Sequence, residues 1–330
     1  MAYADLCLEV GKPVEAIKAI KQQLPDESIG DNKRVLDKLS AAYLAAEEYD
    51  NAIRAAMICS DKFGTSSDNL WILAQANQAN NNLPETIKAL RQLVRLDPMH
   101  EEGILLLANL LSMTGVPEDA LATLEKAVSA HENSLAIQQE RCKLIWRLHG
   151  VHKVIPILKN LVARHPDSSE ISTMLAEAME QAGDLSGAES IATAGLKKNP
   201  AITELNAIMG RIQYRAGQLD RAISYLSEAI RQSPGTLQNY LDLANVYLDR
   251  REPLQALRVY QSAIRAIPND PQAYLEAAKI LKDCRDYIGA ETMLRKAAEL
   301  SPEDVNIRRQ LGAIIALNLV HHAKEVGSPS

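Results

Sequence analysis

The sequence predicts an all-α protein, a solenoid of stacked antiparallel helix pairs. Three observations predict it. A small residue returns every 34 positions, a proline returns with the same period, and between these markers the apolar residues are spaced as on one face of a helix. Aromatics are scarce, with two Trp and one Phe, while alanine is abundant, which favours closely packed helices over strands.

The first series is Ala16, Ala52, Thr86, Ala120, Val154, Ala188, Ala222, Ala256 and Ala290. Every step is 34 residues except the first, which is 36, and seven of the nine are alanine. A period of this length marks stacked units rather than one globular core. Twelve residues further on come Gly64, Pro98, Glu132, Pro166, Pro200, Pro234, Pro268 and Pro302. Proline cannot continue the helical ladder and disfavours helix in the residue before it, so each one ends a unit. A third series, Ser40, Ala74, Ala108, Cys142, Ala176, Gly210, Ala244, Ala278 and Gly312, is uniformly small.

Each unit therefore reads as two helices joined by a short turn, marked in four units by Gly115, Gly150, Gly183 and Gly217. Absence of bulk at positions such as Ala244 and Ala256 lets two backbones approach while Leu243 and Tyr260 fill the flanks. The expected organisation is a single array over 1–330. It comprises a partial unit 1–32, units 33–66, 67–100, 101–134, 135–168, 169–202, 203–236, 237–270 and 271–304, a terminal helix 305–324 and a disordered tail 325–330. Arg141 and the early Pro156 make 135–168 the irregular unit.

The net charge of −6 is spread evenly, with 18 Lys+Arg against 21 Asp+Glu in each half. Without a basic cluster, nucleic acid is not an expected partner. Cys7, Cys59, Cys142 and Cys284 are scattered in helical apolar patterns and read as small buried hydrophobes. Neither a signal-peptide pattern nor an 18-residue apolar run occurs, so a cytoplasmic chain without membrane insertion is expected, or a periplasmic one if the chain is a fragment of an exported protein.

The pattern Tyr240, Leu243, Ala244, Tyr247, Ala256, Tyr260, Pro268, repeated as Leu175, Ala176, Met179, Ala188, Ala192, Pro200, resembles the tetratricopeptide repeat over about residues 2 to 324. Sel1-like units are longer, pentatricopeptide arrays have a 35-residue period and a basic groove, and the asparagine ladder of the O-GlcNAc transferase type of array is absent. The resemblance implies a right-handed superhelix whose first helices line a concave groove that receives a peptide or a partner helix. It places Asp37, Trp71, Leu105, Gln139, Thr173, Ala207, Leu241 and Leu275 in one inner row. A second row runs Ala41, Gln75, Asn109, Lys143, Glu177, Arg211, Asn245, Lys279, and a third runs Leu44, Gln78, Ser112, Trp146, Glu180, Tyr214, Leu248, Lys282.

The partner-binding candidates are Trp71, Leu105, Asn109, Lys143, Trp146, Arg211, Tyr214, Leu241, Asn245 and Leu275. Trp71 is singled out because the family's usual tryptophan position, one residue earlier, is filled by Leu70. A carboxylate clamp of the chaperone-adaptor kind is incomplete, since Leu105 replaces one of its lysines. Glu177 and Glu180 read as solvated face, His149 and His152 as surface residues, and no nucleophile, phosphate-loop or metalloprotease motif occurs, so no cofactor, metal or catalytic residue is expected. In the terminal helix, Ile314, Leu317 and Val320 read as a self-association face, or one covered by a helix missing from a longer array. The functional expectation is a non-catalytic scaffold or adaptor. Its alternatives are part of a secretion or assembly machine for polysaccharide or pilus, and the regulatory arm of an enzyme.

Overall fold

The computed structural model describes residues 2–23 and 30–326. Among them are nineteen helices and no strand. Cα proximity divides the chain into two compact units, 1–154 and 155–330, described here separately.

The first unit contains α1 (Ala2–Glu9), α2 (Pro13–Gln23), α3 (Lys33–Ala45), α4 (Tyr49–Phe63), α5 (Ser67–Ala79), α6 (Leu83–Leu96), α7 (Glu101–Met113), α8 (Pro117–Val128) and α9 (Leu135–His149). Helix α10 (Val151–Arg164) carries the boundary, one residue before its internal Pro156. The second unit continues with α11 (Ser169–Gln181), α12 (Leu185–Lys198), α13 (Thr203–Arg215), α14 (Leu219–Gln232), α15 (Leu237–Asp249), α16 (Pro253–Ala266), α17 (Pro271–Asp283), α18 (Tyr287–Leu300) and α19 (Val305–Val326).

Local chemistry sets the helix starts. Asn32, Ser66, Ser134 and Ser168 each accept, through the side chain, the backbone N–H three residues on, satisfying a donor that the helix leaves orphaned. Proline sits in the first turn of α6, α8, α16 and α17, where its missing N–H costs nothing.

The turns obey one rule. Positive φ falls at Glu47, Asn81, Gly115, Gly183, Gly217, Arg251 and Arg285, a 34-residue series that glycine fills only in part. The irregular unit departs from it: α9 runs to 15 residues against 13 for α5, α7, α11, α13, α15 and α17, and its left-handed turn residue is Gly150, one position late.

The alanine series lies where close approach demands it. Ala16, Ala52, Ala120, Ala188, Ala222, Ala256 and Ala290 are all fully buried, as are Thr86 and Val154. In the third series the neighbours leave no room even for a methyl group at Gly210, where a Cβ would stand 2.5 Å from Leu226 Cγ. Gly312 is the exception: it is exposed, and a Cβ there would meet nothing within 4 Å. Helix α19 packs on α18 with no second helix behind it among the described residues, so this register position has lost its partner.

Proline carbonyls are tied in the same rhythm. Asn206 Nδ2 donates to the Pro200 carbonyl (2.9 Å), Tyr240 Oη to Pro234 (3.1 Å) and Tyr274 Oη to Pro268 (3.1 Å), each six residues back. Proline that terminates a helix thus supplies the acceptor that anchors the next first helix.

Of the remaining expectations, residues 24–29 of the partial first unit and 327–330 of the tail lie outside the described residues, while Glu325 and Val326 end α19. Cys7, Cys59 and Cys142 are buried as expected, but Cys284 is exposed. It is the cap residue after α17 rather than part of its apolar face.

Candidate functional site

Two layers are distinguishable in each unit. The first helices α3, α5, α7, α11, α13, α15 and α17 each pack on the second helix of their own repeat, and first helices also touch one another: α3 with α5 and α7 with α9 in the first unit, α11 with α13 and α13 with α15 in the second. Among the described residues no pair of second helices makes comparable contacts, so the first-helix layer is the closely spaced side.

The outward faces of the first helices carry the three rows read from the sequence. In the row through Trp71, Leu105, Gln139, Thr173, Leu241 and Leu275 the side chains are half-buried, with Ala207 buried. One turn on, Asn109, Lys143, Glu177, Asn245 and Lys279 are exposed, while Ala41, Gln75 and Arg211 are half-buried. The step from half-buried to exposed at this position in α7, α9, α11, α15 and α17 is what the edge of a solvent-facing surface requires.

The candidates differ in freedom. Asn109 and Asn245 are exposed, and Lys143 is exposed with its Nζ 2.5 Å from Glu140 Oε1, a pair that solvent screens. Trp71 is half-buried; its ring lies 4.9 Å from the His100 ring, at 50°. His100 Nδ1 accepts the Gly103 N–H at 3.1 Å, capping α7, and stands 3.7 Å from Glu102 Oε2. Trp71 thus braces the entry to the next repeat. Trp146 is half-buried; Leu241 and Leu275 lie partly against the apolar cores of their own repeats.

A charged knot occupies the middle of the second unit, and it corrects the reading of Glu180 as solvated. Its side chain is only 5% exposed and receives Arg211 on both oxygens, Nε to Oε1 at 2.9 Å and Nη2 to Oε2 at 2.7 Å. Arg215 stands 3.6 Å from Oε1, and Arg211 Nη1 reaches Asp242 at 3.5 Å. Burial alone favours a neutral Arg211, but Glu180 and Asp242 hold its pKa above the usual value. Arg211 is therefore a strut between repeats, its fork occupied, and not an open receptor for a carboxylate. Burial pushes the carboxyl of nearby Glu177 up, against the opposing pull of Arg211. Tyr214 donates its hydroxyl to Asp249, and that hydrogen bond, with burial, pushes the phenol up to about 12.

In the terminal helix, Ile314 packs with Ala278, Ala290 and Leu294 and belongs to the core of the second unit, not to an intermolecular face. Leu317 and Val320 are exposed, together with Leu319. His149 and His152 are exposed, and no group of three His, Cys, Asp or Glu side chains among the described residues is arranged to hold a metal ion. None of the described helices is long and apolar enough to cross a membrane.

Fold and surface together define an array of helix-pair repeats presenting the faces of its first helices. Residues 152–212 and 213–280 match the tetratricopeptide repeat family, and residues 271–304 match a second tetratricopeptide repeat profile. Over residues 152–304 the chain carries tetratricopeptide repeats. No curated protein matches it in sequence. The crystal structure of a tetratricopeptide repeat protein from Parabacteroides merdae ATCC 43184 is similar in fold, with a TM-score of 0.57 at 16% identity, covering 76% of this chain and 98% of that one. The crystal structure of the APC/C hetero-tetramer Cut9–Hcn1 aligns at a TM-score of 0.49 and 13% identity, over 88% of this chain and 64% of that one. Tetratricopeptide repeats generally mediate protein–protein interaction, and the fold typically serves as a non-catalytic scaffold.

Proposed function

We propose that this chain is a scaffold that holds a peptide or helix of a protein partner along the faces of its first helices, without performing chemistry itself. The observation that carries the reading is the register of exposure: Asn109 and Lys143 on neighbouring first helices of the first unit, and Asn245 at the same repeat position in the second, face solvent beside half-buried neighbours. Stacked pairs keep such a strip rigid, so the ordering cost of binding falls on the partner. In the first unit Leu105 offers apolar footing beside the polar contacts of Asn109 and Lys143; in the second, Leu241 and Leu275 do so beside Asn245. Trp71, Trp146, Arg211 and Tyr214 serve mainly to hold its shape.

Photo-crosslinking tests this. A benzophenone amino acid placed at Asn109 or Asn245 is expected to trap a protein partner, and the adduct should weaken when Leu105→Ala or Leu241→Ala is added. Equal trapping from Arg258, on the exposed side of α16, would contradict the assignment of the face.

A further inference from the structure

A second surface feature lies on the second-helix side of the first unit. A cleft of about 390 Å³ opens between α6 and α8 over α7. Its floor is apolar, with Ile104 and Leu107 buried and Val94 half-buried. Its rims carry three cations, Arg91, Arg95 and Lys126, and no carboxylate lines it. Arg91 is held by Asp119, Nη2 to Oδ2 at 3.1 Å. Arg95 and Lys126 make no hydrogen bond or ion pair among the described residues. In a chain of net charge −6, two unpaired cations on an apolar trench are an unspent anion site.

The repeat supplies its own control. The cleft at the equivalent register two repeats on, lined by Val162, Pro166, Ser172, Ile191, Ala194 and Lys198, has a similar volume of about 360 Å³. There Arg95 corresponds to Ala163 and Lys126 to Ala194, while the one lysine present, Lys198, is tied to Asp167 at 2.8 Å and to the Pro166 carbonyl at 2.6 Å. Trenches of this kind follow from the spacing of second helices. The same two registers carry Arg265 and Lys296 in the second unit, but there Arg265 donates to Ser262 Oγ at 2.8 Å and Lys296 pairs with Glu299 at 2.7 Å, whereas Arg95 and Lys126 are held by no such partner among the described residues.

We infer that this cleft binds an internal acidic segment of a protein partner, with an apolar side chain in the trench and the neighbouring Asp or Glu carboxylate between Arg95 and Lys126. The rim residues Arg91 to Pro98 and Thr123 to Ala130 span the last turns of α6 and α8 and the residues just beyond them, roughly 10 Å, which suits about three extended residues passing through. The site is separate from the first-helix strip and does not depend on it.

Fluorescence anisotropy at low salt tests the inference with labelled hexapeptides. The end-blocked probe Ala-Ala-Leu-Glu-Ala-Ala is expected to bind the intact protein, with affinity lowered about tenfold when Glu is changed to Gln, when Leu is changed to Ala, or in the variant Arg95→Gln with Lys126→Gln. Both positions are exposed, so the fold tolerates the change; circular dichroism checks it. Adding Ala163→Arg and Ala194→Lys to that variant is expected to restore binding in the second cleft. The inference is overturned if the Leu-Glu probe does not bind, if it binds the Gln variant equally, or if only an unblocked probe ending in a free Leu carboxylate binds.

Discussion

Arg211 grips both carboxylate oxygens of Glu180, a residue 31 positions earlier in the preceding repeat, and the glutamate is 5% exposed. Thirty-one residues is one repeat less a helical turn, so the side chains meet across the first helices α11 and α13. The same geometry lets Arg211 reach on to Asp242 in α15. The knot converts charge, usually a mark of solvent exposure, into a brace between three repeats.

Removing the arginine would leave the buried carboxylate with Arg215 alone, at 3.6 Å. Arg211→Ala is therefore expected to destabilise the second unit by about 2 kcal/mol, below the range for a fully buried pair because Arg211 is a quarter exposed. The double change Arg211→Leu with Glu180→Leu should recover much of that loss. Urea denaturation of the three proteins measures both effects.

The turns give a second prediction. Positive φ recurs at one register whether the residue is Gly183 (84°) or Arg285 (62°). A left-handed non-glycine residue is strained, so Gly183→Ala is expected to cost about 1 kcal/mol and Arg285→Gly to stabilise by about 0.5 kcal/mol. Opposite signs in thermal denaturation at matched turns are the readout.

Tyr214 yields a pH dependence. Its phenol is pushed up to about 12, first by the hydrogen bond to Asp249 and then by burial. The raised value means that the bond's contribution is fully present below pH about 10 and is lost as pH rises through about 12. Ultraviolet difference titration of intact protein against Tyr214→Phe should show a late-titrating tyrosine, and Asp249→Asn should move it towards the ordinary value.

Much of this architecture was legible because the repeat writes the same physical demand many times. Ala188, Ala222 and Ala256 are buried to zero exposure for the reason their period announced. What was not legible depends on pairs that the period does not mark. Glu180 looks like any surface glutamate until Arg211 is placed a repeat later; opposite charges at a spacing of 31, which also join Asp31 to Lys62 and Asp167 to Lys198, are the signal that would have found it. The turn rule was hidden wherever Glu47, Asn81, Arg251 or Arg285 stood in place of glycine. Cys284 and Ile314 went the other way from expectation, one exposed at a helix cap and one absorbed into the core. The cationic cleft was invisible because Arg95 and Lys126 sit on different helices and become neighbours only when second helices flank a shared first helix.

The central claim is that small side chains at a fixed interval let the helix pairs close together and so build the face on which a partner is held. The most direct measurement is the unfolding free energy of Gly210→Ala against Gly312→Ala. These glycines share a register, but a Cβ meets Leu226 at 2.5 Å in the first case and open space in the second. Gly210→Ala is expected to destabilise by about 1–3 kcal/mol through overpacking, and Gly312→Ala to stabilise by about 0.5–1 kcal/mol through helix propensity. Equal and stabilising effects at both positions would contradict the claim.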